Sequence, residues 1–146
     1  MGKENDLYYA TSMVEYVGRK TKTSRTFIVQ KLGMEGILYL IDFADVNHCL
    51  SFEQVSDELI EDYEIESGNF NSVDECKFEV PSATRIGKVY ARLIESLSES
   101  EEQYAEKMYE VFTSDLPDAI SDFNSSLFFA PADEIAYYYE TEYKTK

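Results

Sequence analysis

Apolar residues recur at spacings of three and four positions along most of this chain, which is the pattern of amphipathic helices. The polar connections between these segments are short. We therefore expect an all-α fold, a compact bundle of six to eight short helices. Residues 76–80 are the exception, because Cys76, Phe78 and Val80 alternate with charged residues just before Pro81. This alternation indicates one short extended segment, either an edge strand or a strap.

Start and stop signals give approximate helix boundaries. Ser24, Ser51 with Gln54, and Ser100 with Gln103 are typical of helix N-caps, whereas Gly18 and Gly33 are typical of helix ends. Asp115 is a further cap, with Pro117 in the first turn. The predicted helices span about 7–17, 24–32, 34–44, 51–63, 82–97, 100–112, 115–123 and 132–142. The helix at 34–44 is apolar nearly all round, so we expect it to be the buried central element.

Length and composition predict one folded domain. The chain has 146 residues, of which 44% are apolar and 14% aromatic, too many for a disordered protein. We expect a single domain over 1–146, with two lobes, 1–66 and 75–146, as the alternative. No apolar run approaches the length of a bilayer span and the N-terminus is polar, which favours a cytoplasmic protein. Cys49 and Cys76 are expected to be free thiols.

Negative charge is concentrated in one stretch. The formal net charge is −16, and residues 51–80 contain ten carboxylates and one cation. Five of the acids fall on the predicted helix at 51–63, on the side away from Phe52, Val55, Leu59 and Ile60; they are Glu53, Asp57, Glu58, Glu61 and Asp62. Such a row can be a solubilising face, or it can imitate nucleic acid and cover a basic surface of another protein.

Two other binding modes are disfavoured by the same residues. Direct binding of DNA or RNA conflicts with the net charge. Divalent cations are an unlikely ligand because the chain has no Asp-x-Asp-x-Asp-Gly loop, and His48, Cys49 and Cys76 lack the spacing of a zinc site. We therefore expect no metal and no cofactor.

The positive charge of the first half forms one basic block. Between Glu15 and Glu35 there is no acid, and the block contains Arg19, Lys20, Lys22, Arg25 and Lys31. It can meet the acidic surface of a second copy, as in a self-associating scaffold, or it can brace its own chain.

A small enzyme using His48 and Asp45 is an alternative function. His48 is the sole histidine and follows Asp45 by three positions, so a local hydrogen bond between a base and its orienting acid is feasible. General acid–base chemistry needs several convergent groups, however, and no nucleophile motif accompanies the pair. We expect capping and packing roles, and no catalytic residue.

Tyrosines supply a second candidate contact surface. The chain has 12 of them, and Tyr137, Tyr138 and Tyr139 are consecutive near the C-terminal end. Tyrosine combines large contact area with little conformational freedom, which suits a docking face. The alternative is that these rings pack the two ends of the chain together.

Part of the chain also resembles a known family. Leu32-Gly33, Gly36-Ile37-Leu38, Asp45-Val46-Asn47-His48 and Val55-x-Asp57-x-Leu59 lie within residues 13–63. This stretch resembles a small, uncharacterised helical family of bacterial proteins with an Asp-Val-x-His signature. The resemblance implies an accessory protein of mobile-element or toxin–antitoxin neighbourhoods, with a partner-binding role and no catalytic residue. It does not extend to the second half.

Together these features predict a non-catalytic, acidic protein-binding protein of bacterial or phage origin. It would act as an inhibitor or antitoxin-like partner that covers a basic, nucleic-acid-binding surface. In small size, strong acidity and lack of an enzyme motif the chain resembles phage-encoded inhibitors of bacterial defence systems. The predicted contact residues are Glu53, Asp57, Glu58, Glu61, Asp62, Tyr137, Tyr138 and Tyr139.

Overall fold

Eight α-helices account for most of residues 3–143. The computed structural model describes residues 3–143, and in that range it contains no β-strand, so the predicted all-α fold is confirmed. The helices are α1 (Lys3–Thr21), α2 (Arg25–Asp42), α3 (Ala44–Asn47), α4 (Phe52–Asp62), α5 (Ala83–Leu97), α6 (Tyr104–Phe112), α7 (Leu116–Ser121) and α8 (Ala132–Tyr138). A 3₁₀ turn precedes α6, another precedes α8, and the π-helical turn Tyr139–Tyr143 continues α8.

Helix α1 is the central element of the bundle. Twelve of its nineteen residues are buried, and it packs against α2, α4 and α5. The prediction that residues 34–44 form the central helix is wrong, because Leu38 and Phe43 in that segment are 44% and 50% exposed. Apolar content alone does not place a helix at the centre. Helix α1 carries small residues that let its neighbours approach from several sides, among them Ala10, Ser12 and Gly18.

The contact between α1 and α5 joins the two halves of the sequence. A Cβ atom added to Gly87 would lie 2.6 Å from Ser12 Cα and 2.7 Å from Ser12 N, so the two backbones pack directly on each other. The Thr11 hydroxyl donates a hydrogen bond of 2.7 Å to the Gly87 carbonyl. Around this point the buried side chains of both halves form one hydrophobic cluster.

Helix α2 contains a sharp interruption at Gly33. Ser24 caps its start as predicted, since Phe27 N donates to Ser24 Oγ at 3.1 Å. Gly33 has φ 64° and ψ −178°, so the two predicted helices, 24–32 and 34–44, meet there at a kink. A positive φ favours glycine. Gly18, in contrast, does not end α1, which continues to Thr21.

Of the other predicted caps, Ser51 is confirmed, whereas Ser100 and Asp115 form no side-chain cap hydrogen bond. Ser82, at the predicted start of a helix, is a further cap. Ser51 Oγ accepts a hydrogen bond from Gln54 N at 3.0 Å, and Ser82 Oγ accepts one from Arg85 N at 3.1 Å. Ser100 forms no side-chain cap. A 3₁₀ turn intervenes there, and the Gln103 side chain instead accepts from Glu99 N at 2.8 Å. Neither half of the predicted capping box therefore forms, because Gln103 bonds to Glu99 N and not to Ser100 N.

The segment at 76–80 is a strap. Its pairing partner is the side chain of Asn124: Lys77 N donates to Asn124 Oδ1 at 2.7 Å, and Asn124 Nδ2 donates to the Glu75 carbonyl at 3.0 Å. One amide side chain thus replaces the row of backbone bonds that a neighbouring strand would provide. Cys76 and Val80 are partly buried against the core, whereas Phe78 between them remains 69% exposed.

A buried ion pair lies inside the bundle. Glu15 on α1 and Arg25 at the start of α2 have side chains that are 0% and 1% exposed. Arg25 Nε donates to Glu15 Oε1 and Arg25 Nη2 to Glu15 Oε2, each at 2.9 Å, and Arg19 Nε donates to Glu15 Oε2 at 2.7 Å. Burial raises the pKa of the Glu15 carboxyl, but the hydrogen bonds and charges of Arg25 and Arg19 outweigh burial and hold that pKa below its ordinary value.

The remaining donors of Arg25 hold the surrounding chain. Nη1 donates to the Thr23 carbonyl at 2.8 Å and Nη2 to Ser72 Oγ at 3.2 Å, while the guanidinium lies 5.8 Å from the centre of the Phe70 ring. Gly18 leaves the space that the arginine occupies, because a Cβ there would lie 2.5 Å from Arg25 Cδ. The basic block therefore braces its own chain, and part of it is not available to a second copy.

We expect Arg25→Met to lower the free energy of unfolding by about 3–5 kcal/mol, because it leaves the Glu15 carboxylate buried without its main partner. The double variant Glu15→Met/Arg25→Met removes both charges and should recover a large part of that loss. Urea unfolding of the two variants and the wild type measures both effects. Equal losses in the single and the double variant would contradict a role for the pairing itself.

The same pair predicts a loss of stability in acid. Because the folded pKa of Glu15 lies below its ordinary value of 4.5, the unfolded chain binds the proton first as the pH falls. The contribution is complete above about pH 5 and is lost as the pH falls through the folded pKa. Glu15→Gln should flatten this part of the curve of unfolding free energy against pH. A wild-type curve with the same slope as that of the variant would argue against it.

Candidate functional site

The five predicted acids of α4 lie on different faces of the helix. At 100° per residue, Val55, Ser56 and Leu59 define the buried side, and Glu61 points almost directly away from it. Glu53 and Asp57 occupy one flank of the buried side; Glu58 and Asp62 occupy the other. The five acids therefore do not form one row. They form two pairs, one on each side of the surface that contacts the core, and Glu61 lies alone on the outer surface.

The first pair is held by helix α1. Lys20 Nζ lies 3.2 Å from Glu53 Oε1 and 2.5 Å from Asp57 Oδ1, and the Tyr16 hydroxyl donates to Glu53 Oε2 at 2.8 Å. The hydrogen bond from Tyr16, with Lys20, lowers the pKa of Glu53, and the hydrogen bond to Asp57 raises the pKa of Lys20. These contacts fix α4 against α1. They also reduce the charge that this flank offers to a partner.

The second pair borders an open groove between α2 and α4. The groove has a volume of about 410 Å³ and is lined by Glu35, Tyr39, Val55, Glu58, Leu59, Asp62 and Tyr63. We call these residues the acidic groove. Glu35, Glu58 and Asp62 form no hydrogen bond or ion pair with any residue in the range 3–143. Three carboxylates without partners therefore share one concave surface with two tyrosines.

The tyrosine hydroxyls respond to this concentration of charge. Burial raises the pKa of Tyr63, and the charges of Glu35 and Asp62 raise it further. Burial also raises the pKa of Tyr9 on α1 to about 12, with contributions from Tyr39 and Glu58 of the groove. A negative field disfavours a second negative charge and favours a cation. The groove is thus suited to a Lys or Arg side chain.

The three predicted tyrosine contacts are not equivalent. Tyr137 and Tyr138 on α8 are 66% and 39% exposed, with ring centres 6.2 Å apart, whereas Tyr139 is 3% exposed and belongs to the core. Tyr139 therefore offers no surface for docking. Helix α8 packs against α5 and α4 packs against α1, and in the described chain no hydrogen bond or ring contact joins the tyrosines to the acids of α4.

Asp45 and His48 do not form a paired site. Both are exposed, and the nearest polar partner of His48 Nδ1 is Cys49 Sγ at 3.8 Å. Asp45 contributes its backbone carbonyl to the Cys49 thiol at the same distance. No hydrogen bond joins the two side chains within residues 3–143. Over that range there is also no cluster of three His, Cys, Asp or Glu side chains that could hold a metal ion, and both cysteines are free.

Sequence patterns did not identify Glu35, Tyr39 and Tyr63 as site residues. Glu35 and Tyr39 are one turn apart on α2, which places them on the same face, and this spacing was the available signal. Their proximity to Glu58 and Asp62 depends on how α2 lies beside α4, which spacing within one helix does not reveal.

Comparisons with known proteins identify no family for this chain. No family model matches the chain, and neither the curated proteins nor the solved structures contain a significant match. The resemblance of residues 13–63 to the Asp-Val-x-His family stays a prediction. Of the helices described, none combines the length and apolarity needed to cross a bilayer.

The charge of the acidic groove can be tested at Tyr63. We expect Glu35→Gln to lower the pKa of Tyr63 toward its ordinary value of 10.0, because a nearby negative charge has been removed. An NMR titration of the Tyr63 ring carbons measures the change. The matched control is Glu61→Gln, which removes one charge on the outer surface of α4 and should leave this pKa almost unchanged. The same shift in both variants would show a diffuse charge effect and not a local one.

Proposed function

We propose that this protein is a non-catalytic, acidic protein-binding protein whose acidic groove receives basic side chains from a partner. The observation that carries the proposal is the convergence of Glu35, Glu58 and Asp62, all without partners, around an open groove of about 410 Å³. A solubilising surface needs only dispersed charge. Convergence on a concave surface with aromatic walls is what a cation-binding site needs.

The chemistry of the groove favours arginine or lysine from a folded partner. The Tyr39 and Tyr63 rings and the Leu59 side chain can contact the apolar stem of such a residue, while the carboxylates pair with its charged end. A guanidinium also binds favourably over a tyrosine ring. The net charge of −16 draws basic partners toward the surface before contact.

A surface rich in lysine and arginine is the electrostatic footprint of nucleic-acid binding. A protein that covers such a surface blocks it, so the proposed action is that of an inhibitor or antitoxin-like partner, acting in competition with DNA or RNA. The resemblance of residues 13–63 to bacterial accessory proteins supports a bacterial or phage setting. Tyr137 and Tyr138 are available as a second, separate contact surface.

The test is capture of a partner from bacterial lysate at low and high salt, with two matched variants. Glu35→Gln/Glu58→Gln/Asp62→Asn removes the groove charges, and Glu61→Gln/Glu66→Gln/Glu79→Gln removes three exposed charges outside the groove. We expect the groove variant to lose about tenfold or more in affinity and to show a flatter salt dependence, and the control to stay within about threefold. Isothermal titration with the purified partner measures both.

The inhibitory action is measured separately, by fluorescence polarisation of labelled DNA or RNA bound to the captured partner. Addition of the wild-type chain should release the nucleic acid, and addition of the groove variant should not. A groove variant that binds as well as the wild type, or a partner that holds nucleic acid and this chain together, would overturn the proposal.

A further inference from the structure

A second groove, of opposite charge, lies between α5 and the segment that leads into α8. Its volume is about 490 Å³, and we call it the basic groove. One wall is the exposed flank of α5; the other is the apolar segment from Phe128 to Ala132, with Ile135 behind it. The lining residues on the α5 wall are Arg85, Lys88, Val89 and Arg92. The sequence patterns considered above did not single out this surface.

Helix geometry explains why three cations meet there. Arg85, Lys88 and Arg92 are spaced by three and four positions, so they share one flank of α5 beside the buried stripe of Ile86, Tyr90, Leu93 and Ile94. The Arg85 guanidinium lies 4.8 Å from the centre of the Phe129 ring and 5.9 Å from that of Phe128. These contacts hold Arg85, the first of the three cations, against the rings of Phe128 and Phe129.

The three cations of the groove form no ion pair with a carboxylate in the described residues; Lys22, Lys31 and Lys77 also form none, but they do not line this groove. Lys3, Arg19, Lys20, Arg25 and Lys107 all form ion pairs, but within residues 3–143 none joins Arg85, Lys88 or Arg92 to an acid. Beside them Phe129 is 63% exposed, a costly exposure for a ring of that size. Unpaired cations and an exposed aromatic wall on one concave surface indicate a ligand that is both anionic and apolar.

We propose that the basic groove binds a short, extended peptide segment of another protein in which carboxylates alternate with an apolar residue. The rise from Lys88 to Arg92 is roughly 6 Å, at 1.5 Å per residue. Side chains two positions apart on an extended chain are separated by roughly 6.8 Å and point the same way, while the residue between them points oppositely. Two carboxylates can therefore face α5 while the apolar side chain between them faces Phe129.

The size of the ligand follows from the charge of the rest of the molecule. DNA, RNA, an anionic membrane or a second copy of this chain would bring extended negative charge near the acidic surfaces, and repulsion acts over about 8 Å at physiological salt. A peptide with two or three carboxylates is short enough to contact the basic groove without approaching the acidic surfaces. Charge complementarity and limited size thus favour the peptide over larger anions.

The probe is a phage-displayed library of random octapeptides selected on the intact protein, followed by titration of the consensus peptide. We expect enrichment of acidic, apolar, acidic triplets. Lys88→Glu/Arg92→Glu should weaken the consensus peptide by about tenfold or more, because it reverses the charge of one wall. Phe129→Ser should weaken it by at least about threefold, because it removes apolar contact.

The matched control is Lys31→Glu/Lys77→Glu, which makes the same change in net charge at two exposed lysines outside the groove, and binding should stay within about threefold. The Glu35→Gln/Glu58→Gln/Asp62→Asn variant should bind the peptide as the wild type does. Failure of the peptide proposal is therefore distinguishable from failure of the function proposed for the acidic groove. No enriched motif, or equal loss in the control, would overturn the proposal.

Two further outcomes would overturn it in favour of another ligand. Selective binding of decanoate, inorganic phosphate or phosphatidylserine vesicles in the absence of peptide binding would indicate a small anion or a membrane. Self-association of the wild type, measured by sedimentation and abolished by Lys88→Glu/Arg92→Glu, would indicate a second copy of the chain.

Discussion

The buried pair of Glu15 and Arg25 is the interaction on which the arrangement of the first half depends. Arg25 begins α2, its partner lies on the central helix, and its other donors reach Thr23 and Ser72. One guanidinium therefore connects α1, the turn into α2 and the irregular segment after α4. A charge in this position is stable only when all its hydrogen-bonding groups are satisfied. The backbone and side chains around Arg25 can therefore shift very little. Gly18 is needed there because any larger residue would collide with the Arg25 side chain.

The distribution of charge follows from this core. The cations of the first half are largely used inside the molecule, with Arg19 and Arg25 on Glu15 and Lys20 on Glu53 and Asp57. What remains at the surface is sorted into an acidic groove on one side of α4 and a basic groove along α5. Each combines unpaired charges with aromatic walls. The net charge of the chain predicts neither groove, because the two grooves carry charges of opposite sign.

Sequence patterns predicted the parts of this structure that depend on local chemistry. The caps at Ser24 and Ser51, the start of α5 near Ser82, the interruption at Gly33 and the burial of Val55 and Leu59 all follow from neighbours within one or two turns. Features that depend on distant contacts were missed or misplaced. Residues 34–44 are less buried than their composition suggests, Tyr139 is in the core, and Glu35 reaches the site only through packing of α2 beside α4. A one-dimensional pattern carries no information on which helix lies beside which.

Gly33 gives the acidic groove a property that its charges do not. Glu35 and Tyr39 lie beyond the interruption in α2, while Glu58 and Asp62 belong to a helix that Lys20 fixes to α1. The distance between the two walls therefore depends on the backbone torsion at Gly33 as well as on the packing of Ile37 and Leu40 in the core. Nothing lies within 4 Å of the position where a Cβ would extend from Gly33, so steric fit does not restrict this site. Its constraint is purely conformational, and a side chain at this position would alter the width of the groove while leaving every charge in place.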